Sequence, residues 1–199
     1  MSALDIPRKR VLLENGQTYG FEVLVIATGA EAVRLKIEGG TDSQIHYLRT
    51  FADARAIVAK AASAKSVAVI GSSFIGLEVA ASLRTLGIAV NVIAPESQPL
   101  ERVMGPEVGR MIRGLHEAHG VAFHLGETVR NINGTTLTLT GGAKLEADFV
   151  VVGVGVRPSL VPAEQAGLGR TSGKRAGAGI RDHPTRSSPR PPAWPDTRR

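Results

Sequence analysis

Residues 66–81 read SVAVIGSSFIGLEVAA, and this stretch decides the fold. An apolar-rich run of five residues, 66–70, stops at Gly71, a short turn follows, and Gly76 opens an apolar-periodic helix. That is the strand–turn–helix layout of a dinucleotide-binding βαβ unit. Gly71 permits a tight turn, and a helix starting near Phe74 aims unpaired backbone N–H groups and its positive dipole end at a pyrophosphate. Gly76 leaves room for the helix to pack on the sheet. Ser73 stands where the middle glycine of G-x-G-x-x-G would be. If its φ had to be positive, it would cost roughly 1 kcal/mol, while its hydroxyl is placed to donate to a phosphate oxygen. The phosphate turn is thus expected from Gly71, Ser72, Ser73, Phe74, Ile75 and Gly76. No Lys-Ser/Thr pair follows the second glycine, which excludes a P-loop.

Working outward, the chain reads as alternating strands and helices. A hairpin is expected at residues 10–14 and 17–21, turned by Asn15-Gly16. Residues 22–27, EVLVIA, read as a buried parallel strand ending at Thr28-Gly29. Residues 38–43 are turn-rich, and 51–62 have helical periodicity. Beyond the glycine turn, 74–86 form a helix stopped by Gly87, 89–93 a second parallel strand, and 106–118 a helix with proline in its first turn. Residues 121–124 make a third strand. The period then changes to two over 128–132, 135–140 and 144–146, a small antiparallel meander, before another buried strand at 149–154. The fold class implied is α/β: a Rossmann-like parallel sheet with helices on both faces and a small antiparallel β-meander.

Composition narrows the function classes. The chain has 199 residues, 43% of them hydrophobic and 21% charged, as expected of a globular protein. Its longest apolar run, residues 149–156, is too short to cross a membrane, and the N-terminus lacks the apolar core of a signal peptide. With no cysteine there is no disulfide, thiolate metal site or redox dithiol. The cytoplasm is the expected compartment. The formal charge of +6 comes from the end of the chain. Eight basic residues and two acidic ones follow Gly169, so the first 169 residues carry equal numbers of each sign. The segment 170–199, rich in Pro and Arg, cannot bury enough surface to offset its ordering entropy and is expected to be disordered. Its single aromatic, Trp194, provides no stacking platform, so no specific nucleic-acid partner is expected. His116 and His119 have helical spacing but no third ligand, so no metal is assigned.

Five segments in order, VLVIATGA (23–30), LRTFADA (48–54), SVAVIGSSFIGLEVAASLRTLG (66–87), PLERVMGPEVG (99–109) and VVVGVGVRPS (150–159), carry a resemblance to a known family. The chain resembles the FAD-dependent pyridine nucleotide–disulfide oxidoreductases, in their ferredoxin-reductase and apoptosis-inducing-factor-like branch. The resemblance runs to about Gly169. It implies a partial FAD-domain segment at 1–49, an NAD(P)H-binding Rossmann domain at 50–160, a return segment at 161–169, and the tail. It further implies that the βαβ unit holding the FAD pyrophosphate lies upstream of Met1 and that a second flavin strand belongs after Gly169. The chain therefore reads as truncated, its tail resembling translation in another frame.

The implied reaction is hydride transfer from NAD(P)H to FAD, with electrons passed to a ferredoxin or Rieske-type iron–sulfur acceptor. The alternative is a standalone dinucleotide-binding fragment without turnover. The resemblance places Glu78 near the nicotinamide; the same residue also suits the helix dipole as an N-terminal acid. The acid that receives the ribose 2′-OH belongs at the end of the second strand, where Ala94 stands. Glu96, two residues on, either takes that role or is a solvated loop acid. With no Arg or Lys between Ala94 and Pro99 and Arg102 close by, NADH is favoured over NADPH. Gly153, Val154 and Gly155 end the last strand at the edge where ligands bind. Thr28 and Gly29 either lie near FAD or form a simple strand exit.

Overall fold

A computed structural model describes residues 3–168. The tail expected at 170–199, and the last residue of the return segment, lie outside the described residues. The chain divides into two compact units, Met1–Gly29 with Pro158–Arg199, and Ala30–Arg157.

The first unit contains β1 (Ala3–Asp5), β2 (Arg10–Leu12) and β3 (Thr18–Gly20) in an antiparallel sheet. The β2–β3 hairpin is the one the sequence predicts: Gly16 turns it at φ 82°, where an L side chain would be strained. The expected strand 22–27 is not formed. Among the described residues nothing pairs with it, and Val23 and Val25 are 86% and 81% exposed. A strand needs a neighbouring ladder to satisfy its N–H and C=O groups, and an apolar run alone supplies none.

In the second unit, β4 (Ala30–Ala32) is followed by β5 (Ile45–Tyr47), α1 (Phe51–Ala61), β6 (Ser66–Ile70), α2 (Phe74–Thr85), β7 (Ala89–Ala94), α3 (Glu101–Ala118) and β8 (Val121–Leu125). The meander β9 (Val129–Asn133), β10 (Thr136–Leu139) and β11 (Lys144–Glu146) precedes β12 (Phe149–Val152) and β13 (Val156–Pro158), which pairs with β4. The short α4 (Val161–Gln165) returns to the first unit and lies against β1.

The second unit is built on a five-stranded parallel sheet in the order β5-β12-β6-β7-β8. Alternate residues of its strands feed two cores. Val67, Val69, Val90, Val92 and Val151 pack with Ile57 of α1 and with Val79, Ala80 and Leu83 of α2. Ala68, Ile70, Ile93, Val150 and Val152 pack on Ile132, Leu137 and Leu139 of the meander. Burial on both faces explains why these strands read as continuous apolar runs. The Rossmann-like α/β class is the one expected. The difference is on the second face, which carries the meander rather than helices. The compact unit runs from Ala30 to Arg157 and takes in β5 as the sheet's edge strand.

Two caps fix element starts. Thr50 and Asp53 form a reciprocal capping box ahead of α1. The Asp148 carboxylate accepts from the Lys65 and Ser66 N–H groups at 2.7 and 2.9 Å, which tethers the start of β6 and lowers the carboxyl's pKa. α3 is interrupted at Gly105 (φ 82°), so its regular part runs from Pro106, as the proline predicts. No helix among the described residues is long and apolar enough to cross a membrane.

Candidate functional site

The C-terminal ends of β12, β6 and β7 are stitched together just where the glycines fall. The Gly71 N–H donates to the Ile93 carbonyl and the Gly153 N–H to the Ile70 carbonyl, both at 2.8 Å. Gly71, at φ 107°, turns the chain into α2. A Cβ on Gly71 would lie 2.6 Å from the Gly153 carbonyl oxygen, and one on Gly76 would be driven into the Gly71 carbonyl. One on Gly153 would lie 3.1 Å from the Gly76 backbone. Three glycines thus press backbone on backbone, bringing the start of α2 against the sheet edge.

Ser73 is the N-cap of α2, with φ −78° and ψ 175°, an unstrained extended conformation. Its hydroxyl donates to the Gly153 carbonyl at 2.5 Å and accepts from the Gly76 N–H at 3.4 Å. Two sequence expectations are corrected here. The serine carries no positive-φ cost, and its proton is engaged by Gly153 rather than free for a phosphate. The N–H groups of Phe74 and Ile75 donate to no acceptor among the described residues.

Above this edge opens a cavity of about 320 Å³, lined by Gly71, Ser72, Ser73 and Phe74 on one side and by Gly153 and Val154 at the strand end. Its other wall is the β7–α3 connection, with Pro95, Glu96 and residues 100–103. That connection is held by two contacts. Leu100, in the left-handed region at φ 56°, donates its N–H to the Ser72 carbonyl at 3.1 Å, tying the wall to the glycine turn. The Glu101 carboxylate accepts from the Ser97 hydroxyl at 2.7 Å and from the Ser97 and Gln98 N–H groups, each at 3.1 Å. Those donors, the Ser97 hydroxyl first, hold its pKa down. Glu96 is ion-paired to Arg102, Oε1 to Nε 3.1 Å.

The structure therefore brings Gly71, Ser72, Ser73, Phe74, Glu96, Gly153 and Val154 to one cavity. Ile75 and Gly76 do not line the cavity: Gly76 is buried and Ile75 is exposed. Gly155 turns away, its carbonyl accepting from the Val33 N–H. Glu78 is exposed one turn along α2 from Phe74 and does not line the cavity. Thr28 and Gly29 belong to the first unit, where the Thr28 hydroxyl donates to the Ser159 carbonyl at 2.5 Å and the Gly29 carbonyl accepts from the Ser159 N–H. Both contacts fasten this stretch to Ser159. His119 Nδ1 meets the Leu115 carbonyl, and His116 stands edge-on to Phe123.

Sequence reasoning did not place Leu100, Glu101 or Val103 at a site. The signal was the PLERV stretch, whose strained leucine and capping glutamate become meaningful only once the loop is folded back on Ser72.

The family described as pyridine nucleotide-disulphide oxidoreductase matches residues 1–187. Among curated relatives, the ferredoxin–NAD(+) reductase component of the anthranilate 1,2-dioxygenase system of Burkholderia cepacia is 40% identical over 188 residues, 91% of this chain and 46% of its own length. The rubredoxin-NAD(+) reductase of Pseudomonas putida is 36% identical over 176 residues, 86% of this chain and 46% of its own. A solved ferredoxin reductase from Rhodopseudomonas palustris superposes with a TM-score of 0.80 at 33% identity, covering 87% of this chain and 44% of that one. The chain spans less than half the length of the relatives it matches.

Proposed function

This chain belongs to the pyridine nucleotide-disulphide oxidoreductase family, and on that footing we propose that its Ala30–Arg157 unit binds NAD(P)H, with NADH favoured. It would do so as the nucleotide module of an FAD-dependent reductase of ferredoxin or rubredoxin type. The observation that carries the reading is the pair of unpartnered N–H groups at Phe74 and Ile75 beside a cavity whose lining Gly71 and Gly153 keep free of side chains there. Helix-start N–H groups and dipole suit a pyrophosphate, and the missing Cβ atoms let it approach the backbone. Glu96, with one carboxylate oxygen paired to Arg102, keeps the other to accept from a ribose hydroxyl. Val154 and Phe74 give the cavity apolar walls that shed water. Glu78, on the same face of α2 as Phe74 one turn further on, is proposed as the carboxylate facing the nicotinamide end. A bound nucleotide supplies the hydride; the chain's own part is to hold and orient it.

FAD, and an iron–sulfur acceptor such as a ferredoxin, a rubredoxin or a Rieske-type protein, enter through the relatives, two of which are a ferredoxin and a rubredoxin reductase. At Thr28 and Gly29, which the resemblance sets near FAD, the Thr28 hydroxyl proton and the Gly29 carbonyl are engaged by Ser159. A second reading, nucleotide binding without turnover by this chain on its own, is favoured by the exposed Val23 and Val25. The cytoplasm is the proposed compartment, in keeping with the absence of cysteine.

Two measurements test this. NADH fluorescence is titrated with the chain, and the visible spectrum is recorded after incubation with FAD and desalting. Saturable NADH binding with a colourless protein is the outcome expected of the isolated chain. A retained flavin spectrum with NADH oxidation would select the complete reductase reading, and absence of saturable binding would remove the nucleotide site.

A further inference from the structure

The cavity's outer wall carries a charge arrangement that bears on which nucleotide it takes. β7 ends at Ala94, so no carboxylate is fixed at the strand's end. The acid nearest along the chain is Glu96, whose side chain is 21% exposed, and its charge is already balanced by Arg102. Arg102 is 79% exposed and makes no other hydrogen bond or ion pair among the described residues, which leaves its two terminal nitrogens free. The segment bearing both residues is fixed against the glycine turn by the Leu100 N–H bond to Ser72 and by the Glu101 carboxylate under residues 97 and 98.

Building on the nucleotide reading above, we infer that the Glu96–Arg102 pair lets this site accept NADPH as well as NADH, and that Arg102 is the specificity-determining residue. For NADH, the unpaired oxygen of Glu96 accepts from the 2′-hydroxyl while Arg102 keeps the other oxygen neutralised. For NADPH, the 2′-phosphate would meet an unbalanced carboxylate if Glu96 stood alone. Here the guanidinium turns from the carboxylate to the phosphate, exchanging one exposed ion pair for a charge-assisted, bidentate contact. With its arginine 79% exposed, the pair is weak and readily exchanged. The discrimination between the two nucleotides is therefore small, with dissociation constants within about tenfold of one another.

The test is the ratio of dissociation constants, NADPH over NADH, each titrated by nicotinamide fluorescence against the full chain. Arg102→Gln is expected to raise this ratio about tenfold, because the 2′-phosphate loses its partner and gains an uncompensated acid. Glu96→Gln is expected to lower it. Arg102 is exposed at the start of α3 and Glu96 is partly exposed in the loop before it, and circular dichroism verifies that each variant folds. A measurement on the unaltered chain stands beside them: NADPH affinity should fall more steeply than NADH affinity as salt is raised. A ratio that both variants leave in place, or NADH binding with no detectable NADPH binding, would overturn the inference while sparing the nucleotide site. Failure of both nucleotides to bind the unaltered chain would overturn the site itself and the inference with it.

Discussion

Two apolar segments of this chain, EVLVIA at residues 22–27 and SVAVI at β6, read alike and end differently. Both are short, rich in valine and isoleucine, and followed by a glycine turn. In β6, Val67 and Val69 are completely buried, with β12 and β7 hydrogen-bonded on either side. In residues 22–27 the valines stand in solvent and no ladder forms among the described residues. Local pattern gives a segment the capacity to be a strand, but the neighbours that satisfy its backbone and cover its faces make it one.

The sharpest way to break the comparison is at the glycines behind β6. Gly76→Ala forces a methyl into the Gly71 carbonyl. A loss of about 3 kcal/mol is expected, at the upper end for overpacking, read as a lowered melting temperature of the Ala30–Arg157 unit. The same clash means that a change at Gly76 tests folding before it tests nucleotide binding. A melting temperature equal to the parent's would show that the helix does not press on the turn as described.

Paired valine truncations sharpen the contrast. Val69→Ala removes fully buried methyl groups and should cost about 2 kcal/mol in urea titrations. Val25→Ala should fall within about 0.5 kcal/mol of the parent. Equal effects at the two sites would mean that residues 22–27 are covered in solution.

Acidity separates the regions next. Burial lowers the pKa of His46, His116 and His124, all in the Ala30–Arg157 unit, below their ordinary 6.5. The unfolded chain then binds protons that the folded unit does not, so stability is full above pH 6.5 and declines as pH falls from there toward the folded values. A second decline should follow below the ordinary aspartate value of 3.8, as Asp148 and Asp53 lose the ionised form that their hydrogen bonds favour. Melting temperatures taken across that range check both, and a flat profile between pH 7 and 5 would count against the histidine contribution.

The smallest effect is a gain. Gly114 lies inside α3 with open space where a Cβ would go. Gly114→Ala should stabilise by about 0.5–1 kcal/mol, by helix propensity and reduced unfolded-state entropy. Measured against Gly76→Ala, it separates a glycine required by contact from one that is not.

What the sequence made legible follows the same physics. β6 and β11 occupy the residues expected of them, because one is buried on both faces and the other alternates after a glycine pair. β5 went unseen since three residues, Ile45, His46 and Tyr47, are too few to show a period. The glycine turn was readable from local spacing. Its opposite wall was not, because Leu100 becomes part of the site only through a bond to Ser72, 28 residues earlier. The work of Ser73 was equally hidden, its hydroxyl being spent on Gly153, 80 residues away.

That last bond makes one side chain in the turn a fastening between the start of α2 and the end of β12. A serine stands in the turn without strain, as the helix N-cap, and a carbonyl from a distant strand end receives its proton, while that strand end packs on Gly76 with no side chain between them. Ser73→Gly would restore the commoner motif yet remove a tether between helix and sheet.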